Sequence, residues 1–330
     1  MGKSNWTDDQ LLQVSGAFWA TCALHTGVKL EIFTWIGDEL LSAEEVADRC
    51  HGDARAVGML LTALTAMGLL VKQEDKFLNT PSSKTYLVKT SPEYLGYMIL
   101  HHHNLMIPWA QLPQTVLSGR QMDREERDEE GERESFLMGM FNLASRIAPV
   151  LSKQINLGGK QHLLDLGGGP GTYAIHFCLA NLNLRATVFD LPTTQPFALK
   201  TIDRFNLSNR VDFAAGDYLV DDIPGSYDAA WLSHILQSLS PDEAQMVVGK
   251  AAATLKPGGL LFIHEFILDD TLDGPAFPAL FALNMLINTP KGQSYARKQL
   301  STMLVSAGLS GVGMLPFHGP NDSRIIYGVK

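Results

Sequence analysis

The sequence predicts an α/β protein in which a mostly helical winged-helix domain precedes a parallel sheet with helices on both faces. From Gln161 onward, short apolar segments such as HLLDL, RATVFD and YDAAWLS alternate with helical segments, which is typical of a parallel sheet. Before that point, two helices and a hairpin outline a winged helix. At the end, VGMLPF and RIIYGVK flank the turn-rich HGPNDS, so we expect the last two strands to form an antiparallel hairpin.

The composition limits the class of protein. The chain has 330 residues, 45% of them hydrophobic, and at roughly 100–200 residues per domain this length predicts two domains. The formal net charge of -9 argues against non-specific attraction to nucleic acid or anionic membranes. Three widely spaced cysteines, and no apolar run of the roughly 20 residues that span a membrane, lead us to expect a cytoplasmic protein with reduced thiols.

The amino-terminal domain is predicted from a capped helix, a second helix and a hairpin. Ser42 and Glu45 have the spacing of a capping box, and the second helix is predicted from Ala54 to Leu70. VKQEDKFLNT then has the pattern of a hairpin with charge at its tip. In the second helix only Arg55 is basic, whereas a DNA recognition helix needs basic and polar side chains. We therefore favour a dimer interface over a ligand-sensing DNA-binding regulator, which stays an alternative.

The middle of the chain is rich in charged residues. A mixed-charge run at 123–135 is predicted to be a solvated helix or an exposed connector, and a helix from Phe136 to about Gln154 follows it. We divide the chain into three parts: a winged-helix-like dimerisation domain at 1–110, a helical connector to the substrate pocket at 111–157, and a cofactor-binding domain at 158–330.

A glycine-rich turn joins the first strand of the second domain to its first helix. In LLDLGGGPGTYAIHF, Gly167, Gly169 and Gly171 carry no side chain, so the backbone can approach a ligand beside helix amides. Asp190 ends the next strand and suits the hydroxyls of a ribose. Asp217 ends the third strand, where it can accept from an adenine amino group, with Tyr218 against the base. A dinucleotide site would show a similar glycine turn.

An ordered set of motifs makes the assignment more specific. DLGGGPG, FDLP, GDY, LSHIL, LKPGGLLFIHEF and LNMLINTPKG resemble, in this order, the S-adenosylmethionine-dependent O-methyltransferases of the plant caffeate and bacterial small-molecule type. The resemblance spans nearly the whole chain. It implies a class I methyltransferase with a Rossmann-like seven-stranded sheet, a winged-helix dimerisation domain, an intertwined homodimer and S-adenosylmethionine as cofactor. The positions that match the cofactor site are Asp165, Gly167, Gly169, Asp190, Leu191, Gly216, Asp217, Tyr218 and Ser233.

The resemblance also locates the catalytic segment, and there the chain departs from the family. The family removes the acceptor's proton with a histidine, and the alignment of LSHILQSL places Gln237 at that position. Glu265 matches the first of two acids that bracket the histidine, whereas the second position falls near Ser294 and is lost. A glutamine stays neutral and cannot serve as a base. His234, three residues earlier, is either the functional base or points elsewhere.

The loss of the histidine bears on the kind of acceptor. A phenol with a pKa near 10 needs help to ionise at pH 7, whereas a thiol near 8.5 is already a few per cent ionised. O-methyl transfer is the family default, and S-methyl transfer to a thiol or thioether fits Gln237 better. Positioning and in-line alignment supply about 7–11 kcal/mol of the barrier. A cofactor-binding homologue that hydroxylates or decarboxylates its substrate is a further alternative, and it would not release S-adenosylhomocysteine.

Candidates for contact with the acceptor come from three segments, each with core packing as the competing explanation. One helix face carries side chains at i, i+3, i+4 and i+7, of which Met285 matches the family's substrate-contacting methionine. In LHHHNLMIPW, three consecutive histidines diverge by about 100° each and cannot share one metal, so we expect no metal site. The candidates are His103 and Trp109 from that segment, Phe136, Met140 and Phe141 from the family's closing helix, and Phe281, Asn284, Met285 and Asn288.

Overall fold

The computed structural model describes residues 5–122 and 129–330, which form two compact units. The first unit comprises residues 5–106 and 129–142, and the second comprises residues 107–122 and 143–330. Residues 123–128 of the mixed-charge run lie outside the described residues. The three-part division at 110 and 157 stays a prediction.

The first unit is mostly helical and contains a small three-stranded sheet of order β1-β3-β2. Its apolar core includes Phe33, Val46, Leu61 and Phe77. This architecture confirms the predicted winged helix. Its elements are α1 (Asp8–Gly16), α2 (Phe18–Lys29), α3 (Ile32–Ile36), β1 (Leu41–Ser42), α4 (Ala43–Cys50), α5 (Ala54–Ala66), β2 (Leu70–Gln73), β3 (Lys76–Asn79), α6 (Pro81–Tyr86) and α7 (Gly96–Ala110).

Local signals explain where the winged-helix elements begin and end. Ser42 and Glu45 form the predicted capping box at the start of α4. The helix that follows ends at Ala66, and the prediction that it continues to Leu70 was wrong. Gly68 adopts φ +75°, a left-handed conformation that terminates helices, and the amide of Leu69 bonds back to the carbonyl of Leu64. Leu70 instead begins β2 of the hairpin.

The second unit is built on one seven-stranded sheet of order β6-β5-β4-β7-β8-β10-β9. The strands β4 to β8 are parallel, while β10 runs antiparallel to both β8 and β9, as predicted. Its elements are α8 (Leu112–Ser118), α9 (Glu129–Gln154), β4 (His162–Leu166), α10 (Thr172–Ala180), β5 (Arg185–Asp190), α11 (Gln195–Arg204), β6 (Val211–Ala215), β7 (Tyr227–Ser233), α12 (Pro241–Ala253), β8 (Leu255–Phe266), α13 (Ala276–Asn288), α14 (Arg297–Ser306), β9 (Ser310–Met314) and β10 (Ser323–Val329).

The helix α9 begins earlier than the apolar pattern indicated. It starts at Glu129 rather than at Phe136, so the second half of the mixed-charge run is helical. Glutamate and arginine are good helix formers even where no apolar face is present. Both α7 and α9 continue from the first unit into the second.

Two apolar cores cover the two faces of the large sheet. One includes Phe177 of α10 and Trp231 of β7, and the other includes Val247 of α12 and Leu304 of α14. The strand order reverses between β4 and β7, because the chain builds β5 and β6 on one side of β4 before it crosses to the other. In open sheets of this type, ligands bind at such a switch point, beyond the carboxyl ends of the strands.

Candidate active site

Three parallel strands end together at the carboxyl edge of the sheet. In their register Leu166 lies beside Phe189, and Asp190 lies beside Ala215. The amide of Gly167 donates to the carbonyl of Phe189 at 2.8 Å, and the amide of Gly216 donates to the carbonyl of Asp190 at 2.9 Å. The predicted cofactor residues that follow these strands are therefore brought to one edge.

The glycine turn requires glycine. Gly167, Gly169 and Gly171 have φ of +63°, +54° and +77°, a region that L-residues rarely adopt. A Cβ on Gly167 would lie 2.6 Å from Cγ2 of Ile235, in the segment that follows β7. The turn therefore packs directly under the catalytic segment and exposes backbone rather than side chains.

Asp190 is held in place by three donors. Its Oδ2 accepts from the amide of Gly169 at 2.8 Å, and its Oδ1 accepts from the amide of Leu191 and from Oγ1 of Thr194 at 2.7 and 3.1 Å. A carboxylate offers about four lone-pair sites, so capacity remains for about one ligand hydroxyl. The carboxylate both fixes the glycine turn and presents acceptors beside it.

The loop after β6 carries Asp217 and Tyr218 and is fixed from two sides. Oδ1 of Asp217 accepts from the backbone amide of Leu219 at 2.8 Å. The backbone amide of Asp217 donates to Oδ2 of Asp221, also at 2.8 Å. Lys250 of α12 donates to the carbonyls of Tyr218, Leu219 and Asp221 at 3.1, 3.3 and 2.9 Å. Sequence reasoning missed Lys250, because a lysine on an amphipathic helix carries no local signal of a distant loop.

The carboxyl group of Asp165 lies beneath the glycine turn and shows what kind of ligand fits. Its Oδ2 accepts from the amide of Ala174, while Oδ1 is buried without a partner among the described residues. Burial, with a smaller contribution from the charge of Asp190, raises the pKa of Asp165 to about 7. A buried, unpaired carboxyl beside a ribose-type acceptor and a glycine turn fits a cationic nucleoside such as an adenosyl sulfonium.

The segment after β7 turns sharply at His234. Ser233 is the last residue to pair with β8, and the amide of His234 then donates to the carbonyl of His264 at 2.9 Å. His234 adopts φ +57°, and a short 3₁₀ helix follows at Leu236–Ser238. Oγ of Ser233 lies 3.0 Å from Nδ1 of the buried His264, whose pKa is lowered well below the usual value by burial and by the neighbouring His234.

The structure brings the three predicted catalytic residues together. The amide of Leu236 donates to Oε1 of Glu265 at 2.9 Å, and Nε2 of Gln237 donates to the carbonyl of His234 at 3.2 Å. Nδ1 of His234 lies 3.6 Å from Oε2 of Glu265. These two atoms and Oε1 of Gln237 are buried without a hydrogen-bond partner among the described residues. Such groups cost about 1–3 kcal/mol each and are rare in folded proteins, so their concentration indicates a ligand site.

The helix α13 carries four of the predicted acceptor contacts. The ring of Phe281 lies 4.9 Å from that of Phe266, which in turn lies 4.3 Å from the ring of His234. Oδ1 of Asn284 accepts from Nε1 of Trp109 and from Nδ2 of Asn288, both at 3.0 Å. Met285 is buried. An aromatic wall thus extends from the catalytic segment to α13. Ser294, at the lost second acid, donates instead to the carbonyl of Pro278.

The remaining candidates belong to the first unit. Nε2 of His103 lies 3.0 Å from Nζ of Lys29, and the exposed ring of Phe136 lies 5.3 Å from that of His101. Met140 is half-buried and Phe141 is buried. Contact of these residues with an acceptor stays a prediction.

The described parts of the chain show neither a metal-ligand group nor a membrane-spanning helix. Residues 5–122 and 129–330 contain no group of three or more histidine, cysteine or acidic side chains placed to hold a metal ion. Within the same two ranges, no helix has both the length and the apolarity to cross a membrane.

Two family models match the chain. One, described as an O-methyltransferase domain, matches residues 109–310, and the other, described as an O-methyltransferase dimerisation domain, matches residues 12–89. The second match supports a dimer interface, rather than DNA binding, as the role of the winged helix.

Two bacterial relatives match the chain over most of both lengths. The 3-hydroxy-5-methyl-1-naphthoate 3-O-methyltransferase of Streptomyces sahachiroi is 30% identical over 327 residues, which is 97% of this chain and 94% of that protein. The tetracenomycin polyketide synthesis 8-O-methyl transferase of Streptomyces glaucescens is 29% identical over 324 residues, which is 96% of this chain and 95% of that protein.

Solved structures show the same fold. An O-methyltransferase family protein from Burkholderia thailandensis superposes with a TM-score of 0.88 at 27% identity, over 99% of each chain. Human N-acetylserotonin methyltransferase in complex with SAM gives a TM-score of 0.85 at 25% identity, over 100% of this chain and 99% of that one. Because the O-methyltransferase domain model alone matches more than half of the chain, this protein belongs to the O-methyltransferase family and is an S-adenosylmethionine-dependent methyltransferase.

Proposed function

We propose that the protein transfers a methyl group to the hydroxyl of a small aromatic acceptor. Two relatives that match nearly the full chain are named for O-methylation of a naphthoate and of a polyketide. The aromatic wall of His234, Phe266, Phe277 and Phe281 supports a flat acceptor, because aromatic rings stack on one another. When bound, S-adenosylmethionine supplies a methyl carbon made electrophilic by its sulfonium.

In this proposal the residues at the sheet edge bind different parts of the cofactor. Asp190 accepts from the ribose hydroxyls, Asp217 and Tyr218 bind the adenine, and Asp165 faces the cationic end. Leu191 and Gly216 lie beside these groups, and Ser233 ends the strand that leads to the acceptor. Water is excluded by Met285 and the phenylalanines, which strengthens every charge interaction inside the site.

The orientation of Gln237 carries the proposal for how the acceptor is positioned. A carbonyl cannot donate a hydrogen bond, so the nitrogen of the Gln237 amide must face the carbonyl of His234. Oε1 is therefore the free end of the amide, and it is buried without a partner among the described residues. It accepts a hydrogen bond from the acceptor's hydroxyl and orients it, but it does not remove the proton.

A sulfur acceptor is the second candidate, because a glutamine stands where the family has its base. A thiol with a pKa near 8.5 needs less help to ionise than a phenol near 10. A thioether needs no base at all.

The two candidates are separated by the release of S-adenosylhomocysteine. We expect release with hydroxynaphthoates and other phenols, and weaker release with thiols, thioethers and aliphatic hydroxy acids. Release with thiols alone would favour the sulfur acceptor. No release with any compound, from folded protein that binds S-adenosylmethionine, would contradict methyl transfer to both classes.

Replacement of Gln237 tests the positioning role. We expect Gln237→Ala to lower kcat/KM by no more than about tenfold, since one neutral hydrogen bond contributes about 0.5–1.5 kcal/mol. Gln237→His should change it by a similarly small factor. Steady-state kinetics with the best phenol from the screen measures both. A loss of several orders of magnitude in Gln237→Ala would show that the amide does more than orient.

We propose further that the protein is a homodimer joined through its amino-terminal helices. The helix α1 has no buried residue, and an isolated helix of this length is not stable in water. Leu12 and Trp19 are 71% and 74% exposed, next to the exposed Leu11, Val14 and Phe18. A patch of apolar side chains of this kind marks a protein interface.

A charged double substitution tests the dimer. We expect the protein to have twice the 36.2 kDa mass of its chain by light scattering, and Leu12→Asp with Trp19→Asp to have the single mass. Leu182→Asp is the matched control, because Leu182 is exposed in the second unit, and it should stay dimeric. A double variant of unchanged mass would place the interface elsewhere.

A further inference from the structure

We propose that His234 and Glu265 form the pair that removes the acceptor's proton, so that the base has moved three residues along the chain from the position of Gln237. The inference deepens the proposed function and rests on it. His234 is the catalytic residue of the pair, and Glu265 is a positioning residue that acts through its imidazole.

The geometry of Glu265 directs one oxygen at His234. The residue is 2% exposed, and its Oε1 accepts from the amide of Leu236 at 2.9 Å. The other oxygen, Oε2, is left 3.6 Å from Nδ1 of His234, and neither atom has another partner among the described residues. A small closing movement, of a few tenths of an ångström, makes this contact a hydrogen bond.

The backbone of His234 adopts a strained, left-handed conformation. Its φ of +57° is uncommon for a residue with a Cβ, and such conformations cost about 1–3 kcal/mol and cluster at functional sites. The hydrogen bond from its amide to the carbonyl of His264 and the contact of its ring with Phe266 maintain this conformation. The side chain is 24% exposed, so one edge of the ring remains accessible.

The pair defines which nitrogen is the base. Nδ1 of His234 faces Oε2 of Glu265, so we assign the ring hydrogen to Nδ1 and the free lone pair to Nε2. The acceptor's O–H bond breaks, the proton forms a bond to Nε2, and the electron pair stays on oxygen. That oxygen forms the new bond to the methyl carbon, whose bond to sulfur breaks with its electron pair retained by sulfur. The imidazolium is stabilised by the Glu265 carboxylate and then loses its proton to water.

The other titratable groups around the pair carry no competing charge. His264 on β8, whose ring lies 4.6 Å from that of His234, is neutral because burial lowers its pKa. Burial raises the pKa values of Tyr173, Tyr218 and Tyr295, so these tyrosines are neutral too. Among these neighbours, Glu265 is the one whose carboxyl oxygen faces Nδ1 of His234.

The test compares His234→Asn with wild type on two acceptors of one shape, 2-naphthol and 2-naphthalenethiol. We expect His234→Asn to lower kcat/KM for the naphthol by about 10²–10⁴-fold and to leave the more acidic thiol within about tenfold. Glu265→Gln should show the same selectivity. The residual naphthol rate of His234→Asn should keep rising with pH, because without the base it depends on the fraction of naphthol that is already ionised. His318→Gln is the control, since His318 is exposed and bonded to Asp322.

Equal losses on both acceptors, or no loss on either, would overturn the pair while leaving methyl transfer in place. If neither naphthalene compound is methylated, nitrogen-15 NMR of labelled histidine decides the question without an acceptor. Hydrogen on Nδ1 of His234 in the wild type, lost from Nδ1 in Glu265→Gln, would support the pair. Hydrogen on Nε2 in the wild type, or no change in the variant, would overturn it.

Discussion

The substitution Gly167→Ala is expected to lower the affinity for S-adenosylmethionine by about 30-fold or more. The φ of +63° at position 167 costs an L-residue roughly 1–2 kcal/mol, and the Cβ of the new alanine would lie 2.6 Å from Cγ2 of Ile235. Relief of that contact moves either the glycine turn or the catalytic segment, at a cost of about 1–3 kcal/mol. Isothermal titration calorimetry with S-adenosylmethionine measures the loss.

Gly249→Ala is the matched control for this experiment. Gly249 lies inside α12, and a Cβ there would meet nothing within 4 Å. We expect unchanged cofactor affinity and a gain of about 0.5–1 kcal/mol in the free energy of unfolding. Gly167→Ala protein that is folded and binds S-adenosylmethionine as tightly as this control would show that the turn does not contact the cofactor.

The second large effect is expected from Asp190→Ala. The change removes the acceptors proposed for the ribose, and it leaves the amides of Gly169 and Leu191 and the hydroxyl of Thr194 without their partner. A hydrogen bond to a charged group contributes about 1.5–3 kcal/mol, so the loss of the one left for the ligand predicts a dissociation constant about 10–10²-fold higher. Asp190→Asn, which keeps one acceptor oxygen, should fall between the wild type and Asp190→Ala.

Asp212→Ala controls for the loss of a carboxylate from a neighbouring strand. Asp212 lies on β6, is exposed, and lies 3.6 Å from the exposed Arg185. We expect it to bind the cofactor as the wild type does. If Asp190→Ala binds within a few-fold of Asp212→Ala, the ribose site must lie elsewhere.

Residue patterns were sufficient to predict the architecture. The alternation of apolar strands with helices predicted the parallel sheet, and the final hairpin, the capping box of α4 and the small hairpin are all confirmed. Two helix ends were wrong, at Gly68 and at Glu129, where turn conformation and helix propensity outweighed the apolar pattern. The strand predicted as VGMLPF is observed at Ser310–Met314 instead.

The sequence by itself predicted the fold and the edge of the sheet to which we assign the cofactor site. These depend on short-range patterns: strand periodicity, glycines in a turn, and acids directly after strands. Parallel strands place their carboxyl ends side by side, so residues far apart along the chain reach one edge without further information.

Only the tertiary structure decided how the catalytic segment is arranged. The contact of Glu265 with His234, the direction of the Gln237 amide and the three carbonyls around Lys250 join elements that are distant in sequence. Such contacts depend on the register between β7 and β8 and on one left-handed residue after Ser233. Neither leaves a local pattern, because register and packing are set by the whole sheet rather than by neighbouring residues.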